Sequence, residues 1–178
     1  MSRKELNPYD LSYSHQGQKM TNGTTAFDIG SVTHPVNFLG IEGVTVTHTG
    51  DAVIYPNNME VGMTLKEAKG IVEVSKGTEY QKVLKIAVTD RTITNLETLT
   101  IGSTTYDAYL MTYTVKTEKY FNDTWFETTE ETIQEWIVPN IGIVKRLDNS
   151  TVTFLGNNGT AEQYETEFLI TADKITYR

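Results

Sequence analysis

Apolar and polar residues alternate with period two along most of this chain, and no helical spacing holds for more than about two turns. Val44, Val46 and His48 against Thr45 and Thr47 predict a short half-buried strand, paired across Gly50-Asp51 with a second strand over 52–55. Pro56-Asn57-Asn58 breaks the pattern, and 61–69 is expected to be a loop with one turn of helix. Strands follow over 71–74, over 82–92 with Leu84, Ile86 and Val88 on one face, and over 96–101 up to Gly102-Ser103. Residues 105–119 form the longest alternating run, with Tyr109, Met111, Tyr113 and Val115 on one face and Leu110, Thr112, Thr114 and Lys116 on the other. Asn122-Asp123 is a turn, and 125–138 returns antiparallel. Its middle, Glu127-Thr128-Thr129-Glu130-Glu131-Thr132, alternates poorly and is expected to be solvated on both faces. Pro139 to Gly142 form a turn in which Gly142 supplies a positive φ or close packing. Further strands over 141–147, 151–155 and 162–171 are separated by Asp148-Asn149 and by Asn157-Asn158-Gly159, both turn compositions.

Strands joined by such short turns pair antiparallel, because a parallel crossover needs a dozen or more residues and usually a helix. The predicted class is therefore mainly β, an antiparallel meander with little or no helix. Residues 1–35 are polar and weakly periodic, and read as an extended arm with one edge strand. A length of 178 residues suits a single domain over 1–178, with the arm at 1–40 and the meander at 41–178.

Charge narrows the partners. A net charge of −8 disfavours nucleic acid and anionic membrane surfaces, which bind through accumulated Lys and Arg. The absence of cysteine removes disulfides, thiolate metal sites and Cys nucleophiles together. No apolar run approaches the roughly 18–20 residues of a spanning helix. Met1-Ser2-Arg3-Lys4 is followed by no apolar segment, so either the protein is not exported or a signal was removed before this chain begins.

Three segments carry a family likeness. Pro56-Asn57-Asn58-Met59-Glu60-Val61-Gly62-Met63-Thr64-Leu65 is similar to an opening in which a Pro and a Val-Gly pair precede the first long strand. Val88-Thr89-Asp90-Arg91-Thr92-Ile93, then Glu97-Thr98-Leu99 and Tyr106-Asp107-Ala108-Tyr109, resemble a strand with an Arg-containing turn, an apolar strand and a Gly-Thr-aromatic-Asp/Glu-Cys-Tyr/Phe step. Glu135-Trp136 through Gly142-Ile143-Val144-Lys145 is similar to a closing Glu-Trp-Tyr-Ala-x-Gly-Val-Gly-x-Val-Lys signature. Over roughly residues 56–171 the chain thus resembles the TapB-like exported proteins, mainly of Bacteroidetes, related to the domain of unknown function 3108. Ala108 stands where that family commonly has Cys, and Ile137-Val138-Pro139-Asn140 replaces Tyr-Ala-x-Gly. The arm before residue 40 has no counterpart in this likeness. The resemblance implies a large curved antiparallel meander, a YmcC-like half-barrel or open barrel with a concave face. It also implies an exported, periplasmic or cell-surface protein with no assigned activity.

Within such a half-barrel Tyr109, Tyr113 and Trp136 are the candidate ligand-binding residues, since aromatic rings supply area to an apolar group. The bland alternatives are that the tyrosines are core and that Trp136 plugs one end. His48 with Asp51 and Asp90 is a weak acid–base or metal candidate matching no ligand spacing, while His15 and His34 lie in the arm. Glu127, Glu130, Glu131 and Glu135 read as a solvated acidic strand discouraging edge aggregation rather than as a carboxylate dyad. Lys145 and Arg146 read as solvated strand ends. The four Asn-x-Ser/Thr triplets, at Asn22, Asn122, Asn149 and Asn158, are expected by chance in a Thr-rich chain.

The expected function is a non-enzymatic exported binding or scaffold domain holding a lipid, acyl chain or peptide on its concave sheet. The rival is a structural or interaction module of the cell envelope with a filled core and an envelope-protein partner. Neither implies a cofactor or a metal, and self-association through open sheet edges is compatible with both.

Overall fold

Period-two alternation becomes ten described strands in two sheets. The computed structural model describes residues 19–21, 24–28, 45–56, 58–77 and 80–172. The strands are β1 (Lys19–Thr21), β2 (Thr24–Asp28), β3 (Thr45–Gly50), β4 (Ala52–Pro56), β5 (Ala68–Lys76), β6 (Tyr80–Ile101), β7 (Thr104–Phe121), β8 (Thr124–Val138), β9 (Gly142–Leu155) and β10 (Ala161–Thr171), with no helix among the described residues. A seven-stranded antiparallel sheet runs in the order β10-β9-β8-β7-β6-β5-β3, and a three-stranded one in the order β1-β2-β4. The larger is a curved meander that does not close into a barrel. Its hairpins use the turn chemistry read from the sequence: Asn122 and Asp123 both take positive φ (44° and 62°), which matches the twist of the flanking strands. Gly142 takes φ 113° at the start of β9.

Each strand alternates between two unlike faces. On the inner face Val72 and Val74 of β5, Leu84, Ile86 and Val88 of β6 and Met111, Tyr113 and Val115 of β7 form a cluster closed by Val53 and Tyr55 of β4. β4 of the small sheet therefore lies against the inner face of the large one. Burying a Val, Leu or Ile contributes roughly 1.5–3 kcal/mol, so β5 to β7 hold the apolar share of the core. The outer face carries a second cluster, with Ile101, Ala108, Trp136, Val138 and Val144 buried in it.

The expected hairpin between 44–48 and 52–55 does not form. β3 pairs with β5 (Thr47 opposite Glu73), and β4 pairs with β2 (Ala26 opposite Ile54). The chain changes sheet at Gly50, where φ is 131° and a Cβ would stand 2.3 Å from the Lys69 carbonyl oxygen. Asp51 fixes the corner: its N–H donates to Lys69 O at 2.8 Å and its carboxylate accepts the Lys69 N–H at 3.0 Å. That N–H, followed by the nearby Lys66 ammonium, holds the Asp51 carboxyl below its usual range. Gly50→Ala is expected to cost roughly 2–4 kcal/mol, combining backbone strain with a clash against main chain that cannot swing away. A urea midpoint within error of the parent protein would contradict this.

Four other expectations are corrected. Residues 61–69 hold no helical turn, because their backbone pairs with β6: Gly62 N–H donates to Ile93 O and Ile93 N–H to Met63 O, at 2.7 and 2.9 Å. The strands expected over 82–92 and 96–101 are parts of β6, interrupted by register shifts. At the first of these Asp90 takes φ 56°, a conformation Asp tolerates, and the extra residue turns Arg91 inward. Arg91 Nη1 donates to Lys66 O and Nη2 to Ile54 O at 2.9 and 2.8 Å, fastening β4 and the segment before β5 to the large sheet.

The middle of β8 is not solvated on both faces: Thr129 and Glu131 are buried on the inner face, while Glu130 and Thr132 are exposed on the outer one. β8 is an interior strand with β7 and β9 on either side, so its glutamates guard no edge. Finally, Asp148-Asn149 is not a turn. β9 runs unbroken through it, and Asp148 is buried against Arg146.

Candidate functional site

Alternation on β7, β8 and β9 sends a polar set to the inner face. Glu135 stands opposite Arg146, Glu131 opposite Ser150, and Ile133 lies between Tyr113 and Asp148. Glu135, 0% exposed, accepts hydrogen bonds from the Tyr113 hydroxyl at 2.8 Å, the Tyr55 hydroxyl at 3.0 Å and Arg146 Nη1 at 2.9 Å. Arg146 Nε donates to both oxygens of Asp148, at 2.8 and 3.0 Å. The Ser150 hydroxyl makes a long contact to Glu131 Oε1 at 3.5 Å. Tyr55 comes from the small sheet, so the network ties the two sheets together through one carboxylate.

Burial and neighbouring charge shift four of these groups. Burial pushes the Tyr55 and Tyr113 phenols far above their ordinary values, with the Glu135 charge adding to the shift, so both remain donors. Burial alone disfavours the Arg146 cation, but its pairing with the Glu135 and Asp148 carboxylates outweighs it and raises its pKa well above the ordinary value. The Glu131 carboxyl is pushed up to about 7, first by burial and then by Asp148, while Arg146 opposes the shift. The arrangement is a hydrogen-bonded ionic lock between two sheets, with one carboxyl that titrates near neutrality. Among the described residues no group of three or more His, Cys, Asp or Glu is placed to hold a metal ion.

Tyr109 and Tyr113 share the inner face, with Met111 between them; Tyr109 is half-buried and Tyr113 is 2% exposed. Trp136 faces the other way, opposite Leu110 in the outer cluster. There its Nε1 donates to Glu97 Oε2 at 2.6 Å, and the Lys145 ammonium lies 3.9 Å from its ring centroid. The fold brings the two tyrosines together and sets the tryptophan apart from them.

The weaker candidates are dispersed. Asp51 holds the Gly50 corner and Asp90 the bulge in β6, where it accepts from the Thr89 hydroxyl at 3.0 Å. His48 belongs to β3, and its side chain, like His15 and His34, lies outside the described residues. Glu127 is paired with Lys119, and Glu130 is exposed beside Lys116 at 3.8 Å. Asn122 and Asn158 sit in turns and Asn149 within β9, while Asn22 lies outside the described residues.

Sequence reading missed Tyr55, Arg91, Arg146 and Asp148. A signal existed for two of them: Arg146, Asp148 and Val152 share a parity on β9, the spacing of a buried face. Charge at those positions concealed it, since Arg and Asp are rarely buried unless paired.

No curated protein and no solved structure matches the chain. A model of the DUF3108-like family matches residues 11–149. That span reaches back into the N-terminal arm, for which the sequence likeness offers no counterpart, and ends within β9. It covers more than half of the 178 residues, and the chain belongs to the DUF3108-like family.

Proposed function

We propose that this protein is a non-enzymatic scaffold and interaction module of the cell envelope, its inner face filled by its own side chains and its partner another polypeptide. The observation that carries the reading is the packing of β4. Val53 and Tyr55 lie in the inner cluster with Tyr113, whose hydroxyl is committed to Glu135. An acyl chain or lipid needs continuous open apolar surface, and beside Tyr113 on the inner face β4 already occupies it. Holding an apolar group between Tyr109 and Tyr113 would require β4 to leave, and Trp136 would still face the opposite side. Placement in the envelope rests on the resemblance to exported proteins.

Native mass spectrometry on protein purified from a cell-envelope fraction tests the reading, before and after organic extraction and again after challenge with mixed lipids and fatty acids. The expected result is one mass throughout. A stoichiometric adduct, lost on extraction and regained on challenge, would overturn the filled-core reading and direct mutagenesis to Tyr109, Tyr113 and Trp136.

A further inference from the structure

Building on the interaction-module reading, we infer that the edge of β10 over Ala161–Glu167, unpaired among the described residues, is the docking site, and that it accepts an extended basic segment of a partner protein as an added antiparallel or parallel strand. β10 is the terminal strand of the large sheet among the described residues and pairs with β9 through eleven consecutive positions without a bulge. Every second residue of such a strand turns its N–H and C=O away from the sheet. Ala161 to Glu167 are all exposed, so neither face of this part of the edge is covered. Tyr164 is 50% and Leu169 58% exposed.

Glutamates are the main protective device on this strand. Natural edges are blunted by charged side chains, Pro, bulges or brevity, and Ala161–Thr171 carries Glu162, Glu165 and Glu167 but no Lys, no Pro and no break in register, so its defence against like strands is charge of one sign. The other edge differs: β3 has six residues and ends at the Gly50 corner.

Charge selects the occupant. On the outer face Glu165 and Glu167 border a trough of about 670 Å³ with Glu130, over Thr132, Asn149 and Thr151. Glu130 shares the Lys116 ammonium with Glu118, whereas Glu165 and Glu167 form no ion pair among the described residues. A second copy of β10 is a poor fit. Antiparallel self-pairing centred on Glu165 sets that residue opposite itself, and centring on Thr166 sets Glu165 opposite Glu167. A strand with Lys or Arg at alternate positions instead places cations along the trough and leaves its other face for apolar contact beside Tyr164. Backbone pairing supplies affinity and the alternate side chains supply selectivity.

The test uses the full chain labelled for amide NMR and a synthetic peptide of about seven residues with alternating Lys and Val, matched in length to Ala161–Glu167. A Glu-Val peptide is the control. The expected result is saturable shifts confined to β10 and the adjoining part of β9 with the Lys-Val peptide. Glu165→Lys with Glu167→Lys, both at exposed positions, is expected to weaken that binding at least about tenfold and to admit the Glu-Val peptide. Shifts scattered elsewhere, affinity indifferent to the charge swap, or a concentration-dependent dimer protecting β10 without peptide would each overturn the docking proposal. Failure here with a single mass in native spectrometry removes the edge site alone, whereas a lipid adduct removes the module reading itself.

Discussion

Arg146→Met is expected to cost about 3–5 kcal/mol of folding stability at neutral pH, the loss typical of breaking a buried ion pair by removing one partner. The substitution keeps an unbranched apolar side chain and removes the cation facing Glu135 and Asp148, which are 0% and 2% exposed. Those carboxyl groups would then be buried without a counter-charge. The pair itself contributes little net stability, because removing its charges from water offsets most of their attraction. Combining Arg146→Met with Glu135→Gln and Asp148→Asn is therefore expected to recover at least about half of the loss. The amide introduced by Glu135→Gln would still present a carbonyl to the Tyr55 and Tyr113 hydroxyls. Urea unfolding read by Trp fluorescence decides the matter. A single variant within about 1 kcal/mol of the parent would mean that the network is solvated in solution.

Glu131→Gln is expected to reshape the dependence of stability on pH. In the folded protein the Glu131 pKa lies at about 7, above the ordinary 4.5, chiefly because the carboxyl is buried. Between those values the unfolded chain binds fewer protons than the folded one, so stability falls as pH rises. The contribution is fully favourable below the unfolded pKa and is lost as pH rises through the folded pKa, a total drop of about 3 kcal/mol. A Gln has no proton to lose. The variant should match the parent near about pH 4 and exceed it by about 3 kcal/mol near pH 8, judged from the difference between their urea-derived curves so that shared titrations cancel. Parallel curves would show that Glu131 reaches water.

Both predictions concern positions that the chain pattern disguises. Along β7 the alternation of Tyr109, Met111, Tyr113 and Val115 stands out because inner and outer residues differ in polarity, and the structure buries Met111, Tyr113 and Val115 as that pattern implies. Arg146 and Asp148 share an inward parity but have polar side chains, and each is tolerable only beside the other and Glu135. Glu135 lies eleven positions from Arg146 in sequence and across a strand boundary. The acidic run of β8 looks solvated for the same reason. Its inward members are satisfied by Arg146 and Ser150 on β9 and by hydroxyls on β4 and β7.

Alone, the sequence determined the mainly β class, the antiparallel order of the meander and the turns at Asn122-Asp123 and Asn158-Gly159, because each follows from residues close together in the chain. Only the tertiary structure decided that β3 and β4 part company at Gly50, since the group forbidding a Cβ there is the carbonyl of Lys69. It also decided that Arg91 faces inward, that β4 packs on the inner face, and that Trp136 and Tyr113 lie on opposite sides. Local alternation reports which residues share a face. What covers that face, and which buried charge finds its partner, depends on strands brought together from distant parts of the chain.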